Sequence, residues 1–225
     1  MAGPAVTTAV EDPWVRWTWV ADHRDDITAR LVEHTQLVGI ALVVGLAIAV
    51  PLGVVVWRWR RLYPPVLAVM GVVYSIPSLA LLAFLIPFTG LTTTTSEIML
   101  VGYTLLILVR NTVAGLDAVP DDVREAASGM GYSSGRQLLR IELPLALPAI
   151  VAGIRITAVT TIGLATITAL IGQGGLGALI RDGLLRDFRT PLVVGTVLTV
   201  ALAVVVDLSL AGAQRLLTPW DRRRA

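Results

Sequence analysis

The sequence predicts an all-α integral membrane protein with about five transmembrane helices, and three observations carry that reading. Apolar residues fill 55% of the 225 positions and charged residues only 15%; a soluble domain sits nearer about 45–50% and about 25%. Mean hydropathy is +0.76. A 24.0 kDa chain cannot bury that excess, because small domains have too little interior for their surface. No apolar stretch alternates with the period of two that a barrel strand needs, so helices remain as the way to satisfy the backbone inside a bilayer. A soluble enzyme, a nucleic-acid-binding domain and a disordered chain are excluded together.

A helix needs about 20 mostly apolar residues to cross the hydrocarbon layer. Five stretches reach that length: 36–57, 66–88, 97–116, 145–171 and 191–216. The first closes at Trp57, before Arg58, Arg60 and Arg61. The second holds Pro77, which predicts a kink where a ring replaces a backbone donor. The third is the least apolar, with Arg110 and Asn111 near its end; the fourth is rich in Thr and the fifth carries Asp207. Ahead of them, Glu11, Asp12, Asp22, Asp25 and Asp26 interrupt residues 1–34, which leaves no apolar core for a secretory signal.

Sidedness follows from arginine, which supplies all 18 basic residues. Arg58, Arg60 and Arg61, then Arg110, Arg124, Arg136 and Arg140, then Arg215 and Arg222 to Arg224 share one side of a five-span chain. Arg16, Arg24, Arg30, Arg181, Arg186 and Arg189 share the other. Eleven against six puts the first set in the cytoplasm. Residues 1–34 are then an extracytoplasmic segment, 35–217 the transmembrane domain and 218–225 a cytoplasmic tail. The pI of 9.5 does not signal nucleic acid, since the arginines lie dispersed between apolar blocks.

The connection over about 117–144 is the longest polar one between spans and falls on the cytoplasmic face. Pro120, Asp121 and Asp122 suit a helix start, with Glu125 at capping-box distance from Asp122. Gly129 and Gly131 can end that helix. A second start follows at Ser134, with Gln137 at the same spacing, and Leu138, Leu139, Ile141 and Leu143 lead to Pro144 and the next span. The loop therefore reads as two short helices joined at a glycine turn. As a bare pattern it is either a structured connector or a docking element, with Ala126 and Ala127 small enough for close approach.

Glu125-Ala126-Ala127, three residues, Gly131, nine residues, then Ile141-x-Leu143-Pro144 resembles the EAA signature of permease subunits of ATP-binding-cassette importers. Every defining position of that signature is filled. Segments AVPLGV (49–54), SIPSLALLAF (75–84), RNT (110–112), AGIR (152–155) and GQGGLG (172–177) are similar to the osmoprotectant branch, whose members carry glycine betaine, carnitine, choline or proline betaine. A methionine or other amino-acid permease is the alternative. The resemblance implies the MetI-like fold of type I importers and a location in the cytoplasmic membrane. It also implies that Glu125, Ala126, Ala127, Gly131, Ile141, Leu143 and Pro144 couple the chain to a cytosolic ATPase dimer. Further implied partners are a second permease, identical or homologous, and a separate extracytoplasmic binding protein. ATP and magnesium would belong to the ATPase subunits, and this chain would be no enzyme.

Other residues are weighed on their own chemistry. Arg155 and Asp207 each lie roughly 14 Å inside the membrane at 1.5 Å per residue. Charges so placed rarely stand alone, so they are expected to pair, as a brace more than as a substrate contact. Tyr74, Ser75, Pro77 and Ser78 form a polar kink that either lines a pathway or packs. Thr157 and Thr161, with Thr160, Thr166 and Thr168, form a polar stripe that either faces the pathway or bonds back to its own helix. Trp14, Trp17 and Trp19 read as outer headgroup anchors, and Trp57, Trp59 and Trp220 as inner ones. GQGGLG matches G-x-G-x-x-G, but a long apolar helix precedes it on the outer side, so it reads as a turn or gate element. Without Lys there is no phosphate-binding GxxxxGK[ST] loop. Without Cys, and with His23 and His34 as the two histidines, no thiolate, HExxH or membrane-embedded Ser/His chemistry can be assembled.

Overall fold

The computed structural model describes residues 13–219. Glu11, Asp12, Trp220 and Arg222 to Arg224 lie outside the described residues. Among the described residues, four helices are long and apolar enough to cross a membrane, and the count is five when the bent pair Arg60–Ser75 and Ser78–Thr89 is taken as one span. In chain order the helices are α1 (Trp17–Asp22), α2 (Arg24–Arg58), α3 (Tyr63–Ser75), α4 (Ser78–Thr89), α5 (Thr93–Asp117), α6 (Asp121–Gly129), α7 (Ser134–Gln137), α8 (Leu143–Ala165), α9 (Leu176–Leu185) and α10 (Arg189–Leu217). The spans expected at 36–57, 97–116, 145–171 and 191–216 correspond to α2, α5, α8 with the 3-10 turns Thr166–Ile171 that follow it, and α10.

Small residues set the centre of the bundle. Ala41, Gly45, Ala49 and Gly53 recur every fourth position along α2 and are all buried. A Cβ on Gly45 would lie 2.2 Å from Thr104 Oγ1, and one on Gly53 2.7 Å from Thr112 Cβ. In lipid, where apolar burial gives no preference for helix over solvent, such close backbone approach is what holds helices together. The facing threonines satisfy themselves inside α5, Thr104 Oγ1 donating to the Val101 carbonyl at 2.7 Å and Thr112 Oγ1 to that of Leu108 at 2.8 Å. On its other side α5 meets α8 the same way, with Gly153 against Asn111 and Gly115 against the Ala146 carbonyl. Around this α2–α5–α8 core, α10 packs on α8 and α9 and leaves Val197, Val200, Val204 and Leu208 exposed, as a helix facing lipid or another subunit would.

One expectation is corrected. The kink at Pro77 is a full break: α3 and α4 meet at 96°, with Ile76 and Pro77 in extended backbone. Ser75 and Ser78 therefore do not share a helix face. The Ile76 carbonyl at this elbow accepts the Tyr103 hydroxyl. Between the 3-10 turns and α10, α9 fills the connection with Leu176, Gly177, Leu179 and Gly183 buried. Helix α2 begins at Arg24, ahead of the first apolar stretch at 36–57.

The glycine-rich turn before α9 is clamped onto α2. Gly174 N donates to Glu33 Oε1 at 3.3 Å. Gly175 sits at φ +45 with no room for a side chain, since a Cβ would lie 2.5 Å from His34 Cβ. The segment is a close-packed turn at the end of the bundle opposite α6.

Candidate functional site

The connection between α5 and α8 gathers the residues of the EAA pattern. Its first helix, α6, starts at Asp121 behind Pro120 and ends at Gly129, and Gly131 turns the chain at φ +79. That left-handed conformation is costly for a residue with a Cβ, which is why a glycine stands there. The short α7 follows and passes into a π-helical turn, Leu138–Glu142, that runs straight into α8. Neither expected capping box forms. Asp122 is already inside α6, where its Oδ1 accepts the Val123 N–H at 2.9 Å. Ser134 is likewise inside α7, which starts behind Ser133, and the Gln137 side chain turns toward Glu142.

Burial divides the motif residues by role. Glu125 and Ala126 are exposed while Ala127 is fully buried, so α6 presents Glu-Ala outward and seats its second alanine inward. Met130, at 68% exposure, extends the outward face, and Leu139 stands exposed nearby. Ile141, Leu143 and Pro144 are half-buried at the root of α8. Two large exposed apolar side chains beside a small-residue helix face form a surface that suits another protein.

Sequence reasoning missed the residues that tie α6 to the bundle. Arg124, one position before Glu125, donates from Nη2 to the Leu116 carbonyl at 2.6 Å and from Nη1 to Asp121 at 2.8 Å. Its Nε lies 3.4 Å from Glu142 Oε1, and its guanidinium lies 5.4 Å from the centroid of the Trp57 ring. Trp57 in turn donates from Nε1 to Asp117 at 3.1 Å, and Arg60 pairs with the same carboxylate. Trp57 is thus packed into this cluster, a different role from the free headgroup anchor expected of it. The buried Glu142 accepts from Gln137 Nε2 at 3.0 Å. The available signal was a carboxylate wedged between the isoleucine and leucine of the motif: a charge at a membrane helix root needs a partner. A cavity of about 380 Å³ lies alongside, lined by Val54, Trp57, Ser128, Gln137, Leu138 and Glu142 among others.

The other candidate residues lie apart from this cluster. Arg155 on α8 and Asp207 on α10 meet in a two-point bond, Nε to Oδ1 at 2.8 Å and Nη2 to Oδ2 at 2.9 Å. Tyr74, Ser75 and Pro77 are exposed at the α3–α4 elbow, and Ser78 is half-buried. Thr157 and Thr161 are 1% exposed, and Thr157 Oγ1 donates to the Gly153 carbonyl at 2.8 Å. Both are sealed inside the bundle formed by the described residues. Trp19 stacks on His23 and meets Phe188 edge-on, so it packs against protein, whereas Trp14 and Trp17 stay 70% and 76% exposed. Glu97, which drew no attention in the sequence, has both carboxyl oxygens buried without a hydrogen-bond partner in the groove between α2 and α5.

Residues 41–220 match the family model described as binding-protein-dependent transport system inner membrane component. The chain belongs to that family. The permease is 37% identical over 199 residues to the choline transport system permease protein OpuBB of Bacillus subtilis, covering 88% of this chain and 92% of that one. It is 35% identical to the glycine betaine/carnitine/choline transport system permease protein OpuCB of the same organism, over 90% of this chain and 93% of the relative. It is 36% identical to the osmoprotectant import permease protein OsmW of Salmonella typhimurium, over 89% and 96%. Among solved structures, a chain of the inward-facing MetNI methionine ABC transporter superposes with a TM-score of 0.80 at 24% identity, over 88% of this chain and 98% of that one. That likeness establishes the MetI-like fold. The permease is an inner-membrane component of a transport system, and its role is transport.

Proposed function

We propose that this permease carries small quaternary-ammonium osmoprotectants such as glycine betaine, carnitine or choline into the cell, driven by ATP hydrolysed in a partner. Its curated relatives over most of the chain are named for those substrates. The observation that carries the mechanism is the free Glu125–Ala126–Met130 face of α6, held at the bundle end that also bears Arg58, Arg60 and Arg124. In this reading α6 is the coupling helix. It seats in a cytosolic ATPase subunit, and closure of the ATPase dimer rocks the membrane helices as rigid bodies between outward and inward openings. ATP and magnesium are bound by those subunits. A second permease, identical or homologous, completes the pathway, with the Tyr74–Ser78 elbow on the side facing it. A separate binding protein delivers substrate to the opposite end, where Trp19, Asp26, Arg30, Arg181 and Asp182 line a polar cleft of about 290 Å³.

The test is uptake of labelled glycine betaine and choline into ATP-loaded proteoliposomes. The vesicles hold the permease, its ATPase and any second permease, with the binding protein outside and methionine run in parallel. Accumulation of betaine or choline that needs both ATP and the binding protein is the expected result. Accumulation of methionine alone would retain the coupling reading and overturn the substrate class.

A further inference from the structure

Helix α6 joins the membrane helices through few side chains, its buried Ala127 among them. Its close helical packing is with α7, and one flank faces the cavity of about 380 Å³ at the end of α2. Three residues, 118–120, join it to α5, and α7 with the π-turn joins it to α8. A force applied to α6 therefore has few ways into the bundle. Arg124 is where they converge: one guanidinium reaches the α5 backbone at Leu116, the Trp57 ring of α2 and the Glu142 carboxylate at the root of α8. Glu142 closes the π-turn and is also bonded by Gln137, whose Oε1 accepts the Ser128 hydroxyl of α6 at 3.3 Å. A π-turn holds one residue more than the regular helix around it, which makes it a natural joint.

We propose that Arg124, acting through Glu142 and Trp57, is the positioning residue that makes displacement of α6 move α8 and α2. This rests on the reading of α6 as the ATPase-docking helix. The chemistry favours arginine specifically. A planar, permanently charged fork can bond a carbonyl along one edge, face a carboxylate along another and stack on an indole; an ammonium can do one of these at a time. Without the fork, α6 still docks and the ATPase still turns over, but the motion is absorbed in the cavity and the π-turn.

The test measures ATP hydrolysis and substrate uptake in the same proteoliposomes and compares the ratio of the two. Arg124→Gln is expected to keep the ATPase bound and hydrolysing while lowering uptake per ATP by about tenfold, the worth of one charge-assisted hydrogen bond. Arg124→Lys should fall between it and wild type. Glu142→Gln should lower the ratio in the same way, and the double variant should be no worse than the more severe single one, because both act through one contact. Equal loss of hydrolysis and uptake, with the ratio unchanged, would assign Arg124 a merely structural role and overturn the proposal. So would a wild-type ratio in Arg124→Gln, or fully additive losses in the double variant. Failure of the wild-type chain to retain an ATPase would be a different result, sinking the docking reading and this inference with it.

Discussion

Arg155 and Asp207 join α8 to α10 through two parallel hydrogen bonds of 2.8 and 2.9 Å. They stand on the rim of the bundle, each side chain about one-third exposed, beside a shallow groove formed with Ala152, Ile156, Val159 and Thr160. Together with Gln214 Nε2, which donates to the Pro148 carbonyl at 3.3 Å, this pair supplies directional contact between α10 and α8. A bidentate arginine–carboxylate bond fixes geometry as well as distance.

Reversing one charge of that pair leaves two like charges facing each other at membrane depth. Arg155→Asp and Asp207→Arg should each lower the yield of folded permease and its melting temperature in detergent. The double exchange, Arg155→Asp with Asp207→Arg, should recover a substantial part of both. Thermal unfolding of the four proteins as a double-mutant cycle reads the coupling directly.

Gly131 and Gly129 make a matched pair for the turn after α6. A Cβ meets nothing within 4 Å at either, but Gly131 lies at φ +79 while Gly129 is helical. Gly131→Ala should cost about 1 kcal/mol through backbone strain and reduce ATP-driven uptake as the α6–α7 hairpin loses its shape. Gly129→Ala should be neutral or slightly stabilising. Equal uptake by the two variants at equal expression would refute the role given to the turn.

The small-residue stripe on α2 predicts a position-dependent result for one substitution. Gly45→Ala places a methyl group 2.2 Å from Thr104 Oγ1, and overpacking of this kind costs about 1–3 kcal/mol. Gly39→Ala, on the same helix with open space around it, should be tolerated. Comparing the two melting temperatures isolates packing from helix propensity, which favours alanine at both sites.

Glu97 is a carboxyl group without a partner among apolar neighbours that include Ile40, Val44, Ile98 and Leu105. Replacing such a group by an apolar one of similar size removes an unsatisfied polar burden. Glu97→Ile should stabilise the isolated permease by about 1 kcal/mol. A melting temperature below that of the wild type would show that Glu97 makes a stabilising contact.

Much of this protein was legible before any coordinates. The excess of apolar residues, four of the five spans and the short-helix, glycine-turn, short-helix form of the 117–144 connection follow from composition and spacing, because a bilayer admits so few backbone solutions. The expectation that Arg155 and Asp207 pair came from depth alone, since neither charge is tolerable there by itself. Residues 118–120 and 130–133, the short links on either side of α6, likewise lie where proline and glycine punctuate the chain.

What tertiary structure alone decided is which partners the remaining groups found. Pro77 announced a disturbance, but the turn through 96°, with Tyr103 on another helix donating to the Ile76 carbonyl at the elbow, is a tertiary outcome. Gln137 had the spacing of a capping residue, yet its amide nitrogen donates to Glu142 and its amide oxygen accepts from Ser128. Arg124 counted at first only as one positive charge on the cytoplasmic side. Its convergence on Leu116, Trp57 and Glu142 joins residues up to 85 positions apart in the sequence, a distance over which local pattern carries no information. Sequence determined the spans and the motif because hydrocarbon thickness and backbone hydrogen bonding act locally. The fold decided the links between them because side-chain pairing is set by which helices come to lie side by side.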